Sequence, residues 1–276
     1  MKSFIAVVNM KENNFKLLNF LRSFFLFIFL QKKLKKIVFI LMLIISNIGF
    51  AQETIQNQRV WFAYTGQFKL VEKLGYHVEA QFRLDNELQQ SFQNLFRVGS
   101  IYYLSTTKTI SVGYALVNTY SKSFDDYFKE NRLWEQFQYS KKWRNDKNTI
   151  MHRFRLEQRW VEQLTEDLNQ DNASNFQNRF RYLNRNLFHL TNLKSSNEEI
   201  YAVLQNEFFL NLGDNKINNK FIDQNRFLVG LGFNYNNNVR LELGYLNHFI
   251  TSSTSNNVMN HTVSVSLLQN LDLQKH

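Results

Sequence analysis

Six arginines at alternate spacing are the densest chemical feature of this 276-residue chain. Arg153, Arg155 and Arg159 fall in one stretch, and Arg179, Arg181 and Arg185 fall in the next. Glu157 lies among the first three, while Glu79, Glu207 and Glu242 come from other stretches. Guanidinium groups gathered on one wall attract anions, and rings of Arg or Lys select them in a pore. The same groups beside carboxylates form ion pairs that fill a narrow barrel and hold it together. A barrel of about eight strands is just filled by side chains, whereas about sixteen leave a channel. This chain is long enough for something in between, which favours the filled lumen.

Other chemistry is sparse. With no cysteine there is no disulfide scaffold, thiolate metal site, Cys nucleophile or lipoprotein anchor. Barrel lipases and proteases need a Ser–His or Asp–His set at the rim or on the outside. None of His77, His152, His189, His248, His261 and His276 has a Ser two positions on; His189 has only Thr191. His77 and Glu79 share a face, but a lone His–Glu pair is more often a satisfied lumen contact than a ligand set. The chain has no His-x-x-x-His spacing, Gly-rich phosphate loop or nucleophile elbow. Asp125-Asp126 and Glu166-Asp167 read as solvated loop residues. No catalytic residue, cofactor or metal ligand is assigned.

To share a face, residues two apart must lie on strands. The pattern is cleanest from Tyr76 to Asp85: Tyr76, Val78, Ala80, Phe82 and Leu84 alternate with His77, Glu79, Gln81, Arg83 and Asp85. It recurs around Phe62, Ile110, Phe154, Phe180, Leu204, Val229, Leu243 and Val265. It is less clean from Phe96 to Leu104 and from Leu133 to Tyr139, where Glu135 interrupts the apolar face. About eleven segments of roughly ten residues result, the length of a tilted membrane-spanning strand. Short turns (72–75, 105–108, 144–148, 191–197, 236–238) separate them in alternation with longer polar connections (121–129, 164–174, 213–220, 251–257). An outer-membrane barrel distributes its periplasmic and external sides in this way. Such barrels have even strand numbers, so a twelfth strand near Glu53 to Asn57, or a total of ten, is expected.

The formal charge of +10 is concentrated at the start. Residues 1–51 hold eight basic side chains and one acidic, leaving 25 basic against 22 acidic beyond them. A nucleic-acid protein would keep its excess in the mature domain. Here Lys32, Lys33, Lys35 and Lys36 precede an apolar run from Ile37 to Ile45, with Gly49 and Ala51 at the small-residue positions of a cleavage site. This is a secretory signal peptide over 34–51, cut after Ala51. A second apolar piece, Phe24 to Leu30, lies upstream, and translation starting near Leu34 would account for it. Residues 1–51 are therefore a leader and 52–276 the barrel.

A soluble sandwich also alternates, so it is the competing architecture. The export signal, the apolar face rich in Phe, Tyr, Leu and Val, and strands longer than the soluble mode of about five or six residues point to lipid. An open edge in hydrocarbon is costly, so the sheet must close. Trp61, Tyr103, Tyr120, Trp134, Trp143, Trp160 and Tyr235 suit aromatic girdles. The C-terminus, Gln269-Asn270-Leu271-Asp272-Leu273-Gln274-Lys275-His276, departs from barrels that finish on an aromatic residue.

The chain carries Trp61, Glu130-Asn131-Arg132-Leu133-Trp134-Glu135-Gln136, the run from His152 to Trp160, Asn178-Arg179-Phe180-Arg181-Tyr182, Asp223-Gln224-Asn225-Arg226-Phe227 and Leu241-Glu242-Leu243-Gly244-Tyr245. With these, from about Arg59 to Leu268, the mature chain resembles a family of exported proteins, domain of unknown function 2490. The resemblance implies an outer-membrane barrel and supplies no activity, substrate or site residues.

The expectation is an all-β, antiparallel up-and-down transmembrane barrel of 10–12 strands, a monomer in the outer membrane. It serves as a narrow pore, a structural protein or a docking surface. Its partners are outer-membrane lipid, the barrel-insertion machinery and periplasmic chaperones, and an unidentified small solute; nucleic acid is not among them. The alternatives are an outer-membrane hydrolase and a soluble periplasmic β-sandwich.

Overall fold

The computed structural model describes residues 54–85, 90–164, 173–193, 198–213, 217–236, 238–252 and 256–274. The leader, its cleavage site and the upstream start lie outside the described residues. Eleven strands form one closed barrel: β1 (Thr54–Val71), β2 (Leu74–Asp85), β3 (Gln90–Tyr103), β4 (Lys108–Ser121), β5 (Asp126–Trp143), β6 (Asn148–Glu162), β7 (Ser174–Asn192), β8 (Glu199–Leu212), β9 (Ile222–Tyr235), β10 (Val239–Ile250) and β11 (Asn257–Asp272). Each pairs antiparallel with its neighbours in sequence, and β1 closes the ring against β11 in parallel. The expected even number is not met. Thr54 to Asn57 form no twelfth strand; they open β1 and pair with Asn257 to Asn260. An odd number of up-and-down strands sends the first and last in the same direction. The parallel seam follows from that count.

The two classes of connection segregate as their spacing predicts. The strand ends joined through 72–73, 104–107, 144–147, 193–198 and 236–238 share one end of the barrel, and those joined through 86–89, 122–125, 163–173, 213–221 and 251–256 share the other. In the 144–147 turn Arg144, Asn145 and Asp146 all take left-handed φ values of 56°, 56° and 60°. Asn and Asp reach this region more readily than other side chains with a Cβ.

Alternation sets the faces. Phe82, Phe154 and Leu243 are 43%, 39% and 60% exposed on the outside, while their neighbours Arg83, Arg155 and Glu242 are buried within. This is the reverse of a water-soluble core. The single closed sheet overturns the sandwich alternative. It satisfies the backbone all round, as a hydrocarbon surrounding requires. Glu135 does face outward, exposed between Val112 and Leu156 on the adjacent strands.

Two aromatic side chains enter the lumen over glycines. Gly99 of β3 lies opposite Gly113 of β4, and Gly113 opposite Trp134 of β5. A Cβ on Gly99 would come within 2.8 Å of the Trp134 ring, and one on Gly113 would meet the same ring and the Val98 carbonyl. Tyr201 likewise covers Gly232. Gly113→Ala is therefore expected to destabilise the barrel by about 1–3 kcal/mol through overpacking, read as a lowered urea midpoint in detergent. An unchanged midpoint would mean that Trp134 moves freely.

Candidate functional site

The strand pairing gathers the lumen charges at mid-depth. β6 and β7 form a hairpin in which Arg155 lies opposite Arg181 and Glu157 opposite Arg179. Like charges side by side repel, so each guanidinium needs a carboxylate. Glu157 serves four of them and is fully buried. Its Oε1 accepts from Arg181 Nη1 at 2.6 Å, with Arg97 Nη2 at 3.5 Å and Arg155 Nη1 at 3.9 Å; its Oε2 accepts from Arg179 at 2.7 and 3.1 Å.

The network continues outward from Glu157. Arg181 also donates to Glu207 at 2.8 and 3.0 Å, and Arg153 reaches the same carboxylate at 2.7 Å. Arg97 pairs with Glu79, which also holds His77 at 3.3 Å. Arg179 reaches Asp223 at 3.0 Å. Arg185 pairs with Glu242, whose Oε1 also accepts from Tyr201 at 2.6 Å. Five of these links join strands that are not neighbours: Arg153–Glu207, Arg179–Asp223 and Tyr201–Glu242 each reach past one strand, and Arg97 of β3 to Glu157 of β6 and Arg185 of β7 to Glu242 of β10 each reach past two.

A cavity of ≈ 410 Å³ lies on each side of this network. The one at the long-connection end reaches Glu162, Gln163, Ile217 and Ile250; the other reaches Gln67, Ser140, Thr149 and Asn270 near the short turns. Trp61, Gln81, Arg97, Arg181 and Arg226 line both, so they form part of the wall between them. Eight arginines face the first cavity against two glutamates.

A family model described as "Protein of unknown function (DUF2490)" covers residues 58–259, most of the barrel. The chain belongs to the DUF2490 family. No curated protein matches it. Among solved structures, the DUF2490 chain is similar to one described as "NanC porin structure in rhombohedral crystal form", at 12% identity and a TM-score of 0.42, over 73% of this chain and 92% of that one.

In this DUF2490 barrel the residues singled out by spacing all lie on the inner side, but they do not form one wall. Arg155, Arg179 and Arg181 meet at Glu157, Arg153 and Arg181 share Glu207, and Arg185 stands apart at Glu242. Arg159 turns to Glu130, which it shares with Arg132. Arg97, Glu130, Arg132, Asp223 and Arg226 belong to the same lumen and were not among those residues. Parity could have found Arg132 and Arg226, which alternate with Leu133 and Phe227. Arg97 lies in one of the two segments whose alternation is less clean.

The girdle assignment needs correction for Trp61 and Trp134, which are 8% and 1% exposed inside the lumen. Trp61 lies two residues from buried Arg59, and Trp134 two from Arg132; strand parity carries both inward. Trp160 and Tyr235 are exposed outside, near opposite ends. Trp134 sits under Arg155, 5.0 Å from its guanidinium carbon, and edge-on to His77.

Proposed function

We propose that this outer-membrane barrel is closed to free permeation by the Arg–Glu network and acts as a structural or docking barrel. The long-connection end faces outward and offers a cationic cup there. The observation that supports this reading is the Arg97–Glu157 link, whose Arg97 lines both cavities, with Arg185–Glu242 reaching past two strands beside the second cavity. Eleven strands fall between the filled and the open barrel sizes, and the ion pairs take up the difference. On this reading the chain is exported after a cut following Ala51 and inserted by the barrel machinery with its periplasmic chaperones. It works as a monomer in outer-membrane lipid.

The test is conductance in a planar lipid bilayer. The purified barrel is expected to give no stepwise single-channel current, whereas a variant with Arg97→Ala and Glu157→Ala gives discrete steps. Large steady steps from the unaltered barrel would replace this reading with a narrow pore.

A further inference from the structure

Two arginines in the cavity at the long-connection end have no carboxylate. Arg83 of β2 is 6% exposed; it donates to the amide oxygens of Gln81, at 2.6 Å, and Gln93, and its Nε has no partner. Arg226 of β9 donates to the amide oxygen of Gln224 at 2.9 Å, and its Nε is also unpartnered. Among the described residues no carboxylate lies within ion-pairing distance of either. Every other arginine discussed in the network has one. Burying a cation without a counter-charge is expensive, and two that repel one another are more so.

Both lie near the Trp61 ring, and Arg226 lies closer still to Phe209, 4.4 Å from its centroid. The Arg83 guanidinium carbon lies 4.0 Å from the Trp61 centroid and that of Arg226 lies 5.1 Å from it. Trp61 and Arg226 are part of the wall between the cavities, which makes them the floor of the cup. Towards the strand ends the lining changes: Phe92, Phe128, Val161, Ile217 and Ile250 are apolar. The cup therefore has a cationic floor and an upper wall in which these apolar side chains stand among Glu162, Gln163 and Asn175. Its ≈ 410 Å³ falls within the size of small-molecule sites.

We propose that this cavity binds an amphipathic organic anion head-first, a carboxylate carried on an apolar body, with the carboxylate between Arg83 and Arg226 over Trp61. The proposal rests on the closed-barrel reading for its blind floor. Equilibrium binding in detergent reads it without reference to conductance, so that either can fail alone. An oxyanion satisfies the free guanidinium donors with charge-assisted bonds. The apolar side chains of the wall then cover the body, as a mostly apolar pocket with a few fixed polar groups does.

The probe is 3-phenylpropanoate, titrated calorimetrically into the full barrel in a neutral detergent, with 3-phenylpropylamine and inorganic phosphate as comparisons. The acid is expected to bind and to quench or shift the Trp61 emission, and Trp61→Phe removes that optical change. Arg83→Gln and Arg226→Gln are each expected to weaken the acid by about tenfold or more, the weight of one charge-assisted bond. Removing one of two repelling cations does not threaten folding, and heat-modifiable mobility on a gel verifies it. Should one variant fail to fold, the other carries the test. Equal binding of acid and amine, equal binding of acid by the parent and both variants, or no binding of the acid at millimolar concentration would each overturn the proposal. Phosphate binding as tightly as the acid would overturn the role of the apolar side chains and with it the ligand class.

Discussion

Glu157→Ala is expected to lose about 3–5 kcal/mol of folding stability, the scale for removing one partner of a buried ion pair. Glu157 is fully buried and its two oxygens face Arg97, Arg155, Arg179 and Arg181. Without it, four guanidiniums keep only Glu79, Glu207, Asp223 and the amide of Gln136 as partners. The pair energies are not additive, because each arginine but one has a second carboxylate that tightens or loosens with the first. Arg155 has no other carboxylate and is the most exposed to the loss. Glu157→Gln keeps an acceptor while removing the charge, and an intermediate loss is expected. The measurement is urea-induced unfolding in detergent or lipid, followed by tryptophan emission. If Glu157→Ala unfolds at the same denaturant concentration as the parent, the network contributes nothing to holding the barrel closed.

Leu243→Arg tests the other face. Leu243 is 60% exposed and stands between Leu231 of β9 and Val265 of β11. Arg at the bilayer midplane on a barrel's lipid face costs about 2–4 kcal/mol, falling towards zero near the interfaces. A surface substitution in water usually stays within about 0.5 kcal/mol. The variant is therefore expected to unfold at clearly lower urea in phospholipid vesicles. A shift no larger than the aqueous figure would mean that this band does not meet hydrocarbon. The two substitutions separate the two halves of the architecture. One strips a counter-charge from the lumen, and the other places an unpaired charge outside.

Glu135 shows how alternation reads even where composition breaks it. It shares the outward parity of Leu133 and Phe137, and the structure leaves it exposed on that face despite its charge. Trp61 and Trp134 carry the same lesson in the opposite direction. Their residue type suggests a membrane interface, but parity puts them inside, where glycines make room for Trp134 and arginines lie near Trp61.

The face of each strand, the two classes of connection and the arginine-rich interior were therefore legible in the chain alone. Side-chain direction along an extended backbone alternates with a fixed period, and each segment reveals it independently. Three things were not. The parallel β1–β11 seam depends on the total strand count around the ring, which no local segment contains. The convergence of four arginines on Glu157 depends on how strands that are not neighbours face each other across the lumen, and so on the width and stagger of the closed barrel. The two arginines left without a carboxylate depend on all the other pairings being made first, since a charge is unpaired only relative to every partner within reach.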